Sequence, residues 1–128
     1  MKNNVKYCVW DIDNIKSVML EIDSFMPCKL NKGKITISNG KAKLLLENRS
    51  ISGENLVKKE IDKKLIEQTL KNARVWEWDK EYFAPVMDGV SWAFSIKFKS
   101  GKKEFTSQGT NAYPETFSII YRLFENAS

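Results

Sequence analysis

The feature that most constrains this chain is an unbroken alternation from Val90 to Phe98, with Val90, Trp92, Phe94, Ile96 and Phe98 set against Ser91, Ala93, Ser95 and Lys97. A period of two places successive side chains on opposite faces, so the pattern predicts a strand with one buried face. Each inward side chain contributes roughly 1.5 to 3 kcal/mol on burial, about 10 kcal/mol gross for the strand. Ordering the backbone costs about 1 to 2 kcal/mol per residue. A strand of this kind therefore needs neighbours, and the rest of the chain has to supply them.

Two hairpin signals do so. Asn39-Gly40 suits a type I′ turn, which needs positive φ at both central residues. A two-residue loop there pairs Ile37 with Ala42 and Ile35 with Leu44 on one face, and Thr36 with Lys43 on the other. Ser100-Gly101 predicts a second hairpin, pairing Ile96 with Phe105 inward and Lys97 with Glu104 outward. The returning strand, 102–108, has only Phe105 to bury and is expected at or near a sheet edge. Residues 5–12 and 16–25 read as two earlier strands, separated by a turn at 11–14. The Asp11-Ile12-Asp13-Asn14 start is not a calcium loop, because the sixth position is Lys16 instead of glycine and the twelfth is Ile22 instead of glutamate.

Residues 50–55 read as a polar connection and 58–73 as a helix. Its stripe is Ile61, Leu65, Thr69 and Ala73, flanked by Ile66 and Leu70. Glu60 with Lys64, Lys63 with Glu67 and Glu67 with Lys71 are spaced to pair on its solvated face. A last helix is predicted from Pro114, with Tyr113, Phe117, Ile120, Tyr121, Phe124 and Leu123 inward. The predicted class is α+β: one domain over 1–128, with a largely antiparallel sheet of about six strands in the order ββββ-α-ββ-α and both helices on one face.

Composition removes many chemistries. The chain has no histidine, and so lacks the commonest general base and the commonest transition-metal ligand. Its two cysteines, Cys8 and Cys28, lack metal-site or disulfide-framework spacing and read as reduced thiols. No apolar run is long enough to cross a membrane, and the polar amino terminus does not read as an export signal; both point to a cytosolic protein. No metal site, cofactor or catalytic residue is expected.

The net charge of +5 is localised. Residues 29–49 hold Lys29, Lys32, Lys34, Lys41, Lys43 and Arg49 against Glu47 alone, so the whole surplus lies there. Lys32, Lys34, Lys41, Lys43 and Arg49 form one candidate site, a basic hairpin able to track a phosphate backbone. No aromatic residue lies between Phe25 and Trp76, so this segment carries no base-stacking surface.

The second candidate lies in the aromatic and acidic stretch from Trp76 to Trp92. On an extended segment Trp76 and Trp78 share one face, with Glu77 and Asp79 on the other. Trp76, Trp78, Tyr82 and Asp88 are the candidate partner-binding residues, with indole or phenol rings as anchors and carboxylates facing a cation or an arginine. The bland alternative is that the tryptophans fill the core and the acids form a solvated rim. A carboxylate-dependent enzyme, with Mg²⁺ or with an acid and base pair, is a further alternative. Gly109-Thr110-Asn111 could direct backbone N–H groups at an anion, or could be a plain capped turn.

Trp78, Tyr82, Asp88-Gly89-Val90-Ser91-Trp92, Gly101-Lys102 and Gly109-Thr110-Asn111-Ala112-Tyr113-Pro114 to Phe117 resemble an uncharacterised family of small bacterial or phage-encoded proteins. The resemblance spans roughly residues 70 to 125 and implies no activity or site residue. The expected function is a non-enzymatic interaction or accessory protein, associated with a phage or mobile element, that binds a protein partner. Nucleic-acid binding by the basic hairpin is the alternative.

Overall fold

A computed structural model describes residues 12–24, 32–50, 53–85, 90–101 and 103–126. The chain is α+β; among the described residues there are seven strands in one sheet and two helices. The strands are β1 (Ile15–Ser24), β2 (Lys32–Ser38), β3 (Lys41–Ser50), β4 (Gly53–Ile61), β5 (Glu81–Phe83), β6 (Val90–Phe98) and β7 (Phe105–Thr110). The helices are α1 (Lys63–Ala73) and α2 (Phe117–Asn126). The sheet order is β4-β3-β2-β1-β6-β7-β5, antiparallel except for β5 beside β7.

Both hairpins form in the expected register. Ile37 pairs with Ala42, Ile35 with Leu44 and Thr36 with Lys43, around Asn39 (φ 54°) and Gly40 (φ 75°). Ile96 pairs with Phe105 across the second turn, where Gly101 has φ 78°. The β7 ladder starts at Phe105, so Lys97 and Glu104 are not a ladder pair. β7 is one strand in from the edge, and its inward positions after Phe105 are Ser107 and Gly109.

The starts of both helices differ from expectation. Residues 5–11 lie outside the described residues, and Ile12–Asn14 is a 3-10 turn leading into β1. A strand, β4, stands directly before α1, where a connection and the first helical turn were expected. The helix starts at Lys63 because Asp62 caps it, its side chain accepting from the Lys64 N–H at 3.0 Å. Its buried stripe is consequently Ile66, Thr69, Leu70 and Ala73, and Leu65 is exposed. Glu60 belongs to β4, and Lys63 pairs with Asp13; only the Glu67 and Lys71 pair takes the anticipated form, at 4.0 Å. α2 likewise begins three residues after Pro114, following a turn in which the Phe117 N–H donates to the Pro114 carbonyl.

Both helices lie on one sheet face. Val18, Leu20, Ile35, Leu44, Phe94 and Ile96 from the strands meet Ile66, Leu70, Ile120 and Phe124 from the helices, all buried. Gly33 shows how tight this layer is: a Cβ there would overlap the Phe124 ring and lie 3.2 Å from Leu46 Cδ2. Among the described residues no helix is long and apolar enough to cross a membrane.

Candidate functional site

The aromatic stretch splits between the two faces. Val75–Glu77 is a 3-10 turn, not an extended segment, so Trp76 and Trp78 do not share a strand face. Trp78 is buried, its ring 5.2 Å from Phe94 and edge-on to Trp92, and its Nε1 donates to Thr116 Oγ1 at 2.9 Å. Thr116 Oγ1 in turn donates to the Ala73 carbonyl, tying the end of α1 to the approach to α2. Trp76 is half-buried on the turn. Tyr82 packs on Trp92, and its hydroxyl accepts the Asp79 N–H at 2.8 Å. Burial raises its pKa above the usual phenol value, opposed by that hydrogen bond. Asp88 lies outside the described residues. The bland reading thus holds for Trp78, and Tyr82 is engaged from inside.

The segment 109–117 is consumed in the same knot. Trp92 Nε1 donates to the Ala112 carbonyl at 2.8 Å, passing so close to Gly109 that a Cβ there would sit 2.6 Å from that carbonyl oxygen. Asn111 takes φ 58°, a left-handed conformation asparagine tolerates, and its Oδ1 accepts the Val90 N–H at 2.9 Å. These residues fasten the start of β6 to the end of β7. The helix starts six residues beyond Asn111, so Gly109-Thr110-Asn111 does not form the helix-start anion cradle.

No helix of the described residues lies on the other sheet face, and its side chains form rows read directly from the ladders. One row runs Glu60, Lys43, Thr36, Ser17, Lys97. The next runs Lys58, Leu45, Lys34, Met19, Ser95, Thr106. Then come Leu56, Glu47, Lys32, Glu21, Ala93, Gln108 and Glu81. The last described row is Asp23, Ser91, Thr110, Phe83. Lysines predominate in the first two rows, with Glu60 at the end of the first, and carboxylates in the last two, with Lys32 among them.

A groove of about 730 Å³ opens on the acidic end of this face. Its lining includes Glu21, Asp23, Glu47 and Glu81 against Lys32, with Ser91, Gln108 and Thr110 as neutral hydrogen-bonding groups. Phe83 stands on its wall and is 73% exposed, the most exposed of the large apolar side chains among the described residues. A ring left in water two residues from Glu81, on a groove whose farther strands carry Glu21, Asp23 and Glu47, offers an apolar contact and anionic partners within one surface.

The basic candidate is divided by the same rows. Lys34, Lys41 and Lys43 are exposed on the open face or its end, whereas Lys32 sits between Glu47 and Glu21 in the acidic row. The side chain of Arg49 lies outside the described residues. Glu77, Asp79 and Glu81 are exposed, and among the described residues no group of three or more histidine, cysteine or acidic side chains is placed to hold a metal ion. Sequence reading missed Phe83 and the acids Glu21, Asp23 and Glu47. The available signal was strand parity: a strand through 81–83 that turns Tyr82 inward must turn Phe83 and Glu81 outward.

No protein-family model matches the chain, and no curated protein matches it.

Proposed function

We propose that this protein is a non-enzymatic binding module that holds an arginine-bearing segment of a protein partner in the groove on the open sheet face. The observation that carries the reading is the placement of exposed Phe83 beside Glu81 on the wall of a groove that also gathers Glu21, Asp23 and Glu47. A guanidinium stacks on an aromatic face and forks to a carboxylate, which a lysine ammonium does less well. Because the groove is open to water, each charge pair contributes modestly and specificity comes from the ring and the acids together. An accessory role in a phage or mobile element, suggested by the resemblance over residues 70 to 125, is compatible with such a module.

Selection of a random peptide library on the immobilised protein tests this. Arginine-enriched binders are expected, with affinity for one chosen peptide falling at least about tenfold in Phe83→Ala and in Glu47→Lys. Both substitutions are at solvent-facing positions and should leave the melting temperature near that of the wild type. Peptides that bind equally well to both variants would overturn the reading. So would a protein that selects no peptide but binds single-stranded oligonucleotide in a salt-sensitive way lost in Lys34→Glu and Lys43→Glu, which would shift the site to the lysine rows.

A further inference from the structure

The groove on the open face is longer in one direction than in the other. It is lined from Glu47 on β3, through Lys32, Glu21, Ala93 and Gln108, to Glu81 on β5, and so runs across six strands. Neighbouring strands lie about 4.8 Å apart, which makes that row about 24 Å long. Along the strands the lining covers only this row and the next, Asp23, Ser91, Thr110 and Phe83, about 7 Å away. An extended segment whose alternate side chains point down onto the sheet is about 5 Å wide and lies within such a slot. An α-helix, about 10 to 12 Å across with its side chains, is broader than the slot.

The charges of the slot have a spacing. The chain as a whole carries a net charge of +5, yet here four carboxylates meet one lysine. Glu21 and Glu81 are both exposed and face each other across a neutral floor, Ala93 and Gln108. Asp23, in the adjacent row of β1, adds a carboxylate at the Glu21 end, as Phe83 adds a ring at the Glu81 end. Lys32 stands directly beyond Glu21 and separates it from Glu47. Glu21 and Glu81 are three strand spacings apart, about 14 Å, and residues i and i+4 of an extended chain share a face about 13 Å apart.

We propose that the groove takes an extended segment lying across the strands, with two arginines four residues apart, one on Phe83 and Glu81 and the other on Glu21 and Asp23. This rests on the reading of the groove as an arginine site and adds the conformation and the spacing that it selects. Residue i+2 of the segment then lies over Ala93 and Gln108, where the small Ala93 leaves room and the Gln108 amide offers both a donor and an acceptor.

Chemical-shift titrations of the full chain with acetylated, amidated peptides of serine and alanine test the proposal, two arginines standing two, four or six residues apart. The four-residue spacing is expected to bind about fivefold tighter than the others, the size of one exposed charge pair gained or lost. Proline between the arginines, which bars a helix and suits an extended chain, should leave that affinity unchanged. Replacing either arginine by alanine should cost about as much as wrong spacing. Glu81→Gln should remove the cost for one arginine, and the doubly substituted Glu21→Gln, Asp23→Asn chain for the other, because each arginine is coupled to a different end. Three spacings that bind alike, with affinity still falling in Phe83→Ala, overturn the spacing and leave the arginine reading of the groove intact. Both arginines coupled to one end, or binding lost on adding proline, overturn the proposal as well. So does the absence of binding at every spacing, and the library selection then decides the arginine reading separately.

Discussion

The two faces of the sheet obey different rules. On the helix face Val18, Leu20, Ile35 and Ile96 are wholly buried, and even one added methyl group at Gly33 meets Phe124. On the open face the same strands carry Met19, Thr36, Ser95 and Ala93, which lie opposite the helix layer and are interleaved with charges. The first face is decided by packing, which penalises nearly every change in volume. The second is free of that demand, and its charges lean to one sign at each end, mostly lysines at one and mostly carboxylates at the other, with Glu60 and Lys32 as the exceptions.

The sharpest way to break this comparison is to make a small change of volume on each face. Gly33→Ala should destabilise the fold by about 1 to 3 kcal/mol through overpacking against Phe124. Ser95→Ala, on the open face of β6, should stay within about 0.5 kcal/mol of the wild type. Urea unfolding of both measures the contrast. Equal effects would mean the open face is packed as tightly as the other.

A smaller effect comes from the rim. Lys63 donates a hydrogen bond to Asp13 and holds its carboxyl below the usual carboxylate range, tying the start of α1 to the turn before β1. A depressed folded pKa gives stability that is complete above the unfolded value, about 4, and lost as pH falls through the folded one. The melting temperature of the wild type should therefore exceed that of Asp13→Asn at neutral pH, and the gap should close in acid. Because Asp13 is exposed, added salt should narrow it as well. A gap that widened in acid would contradict the pairing.

The legibility of the sequence follows the same division. The alternation of β6 and the Asn39-Gly40 and Ser100-Gly101 turns were readable because a buried face and positive φ each leave a residue signature. β4 was not, because an edge strand with both faces largely wet needs no apolar stripe: residues 56–60 are all exposed, and Glu60 to Lys64 imitates helical pairing. Asp62 was the missed signal, a cap that fixes where the helix can begin. Trp76, Trp78 and Tyr82 drew attention as large rings among acids, yet ring size speaks for core as readily as for binding. Trp78 is held by Thr116 and Phe94, while Phe83 beside them is the ring left in water. The groove itself was illegible in one dimension, because Glu21, Glu47 and Glu81 come together only through ladder rows that join distant strands.

Methyl-resolved nuclear magnetic resonance can tell the two faces of one sheet apart, and it tests the central claim most directly. Titrating a selected arginine peptide into protein labelled at methionine, alanine and isoleucine methyls should shift Met19 and Ala93, on the open face, and leave Ile35 and Ile96, beneath the helices, unmoved. Shifts confined to the isoleucines of the helix face, with Ala93 silent, would contradict the assignment of the open face as the binding surface.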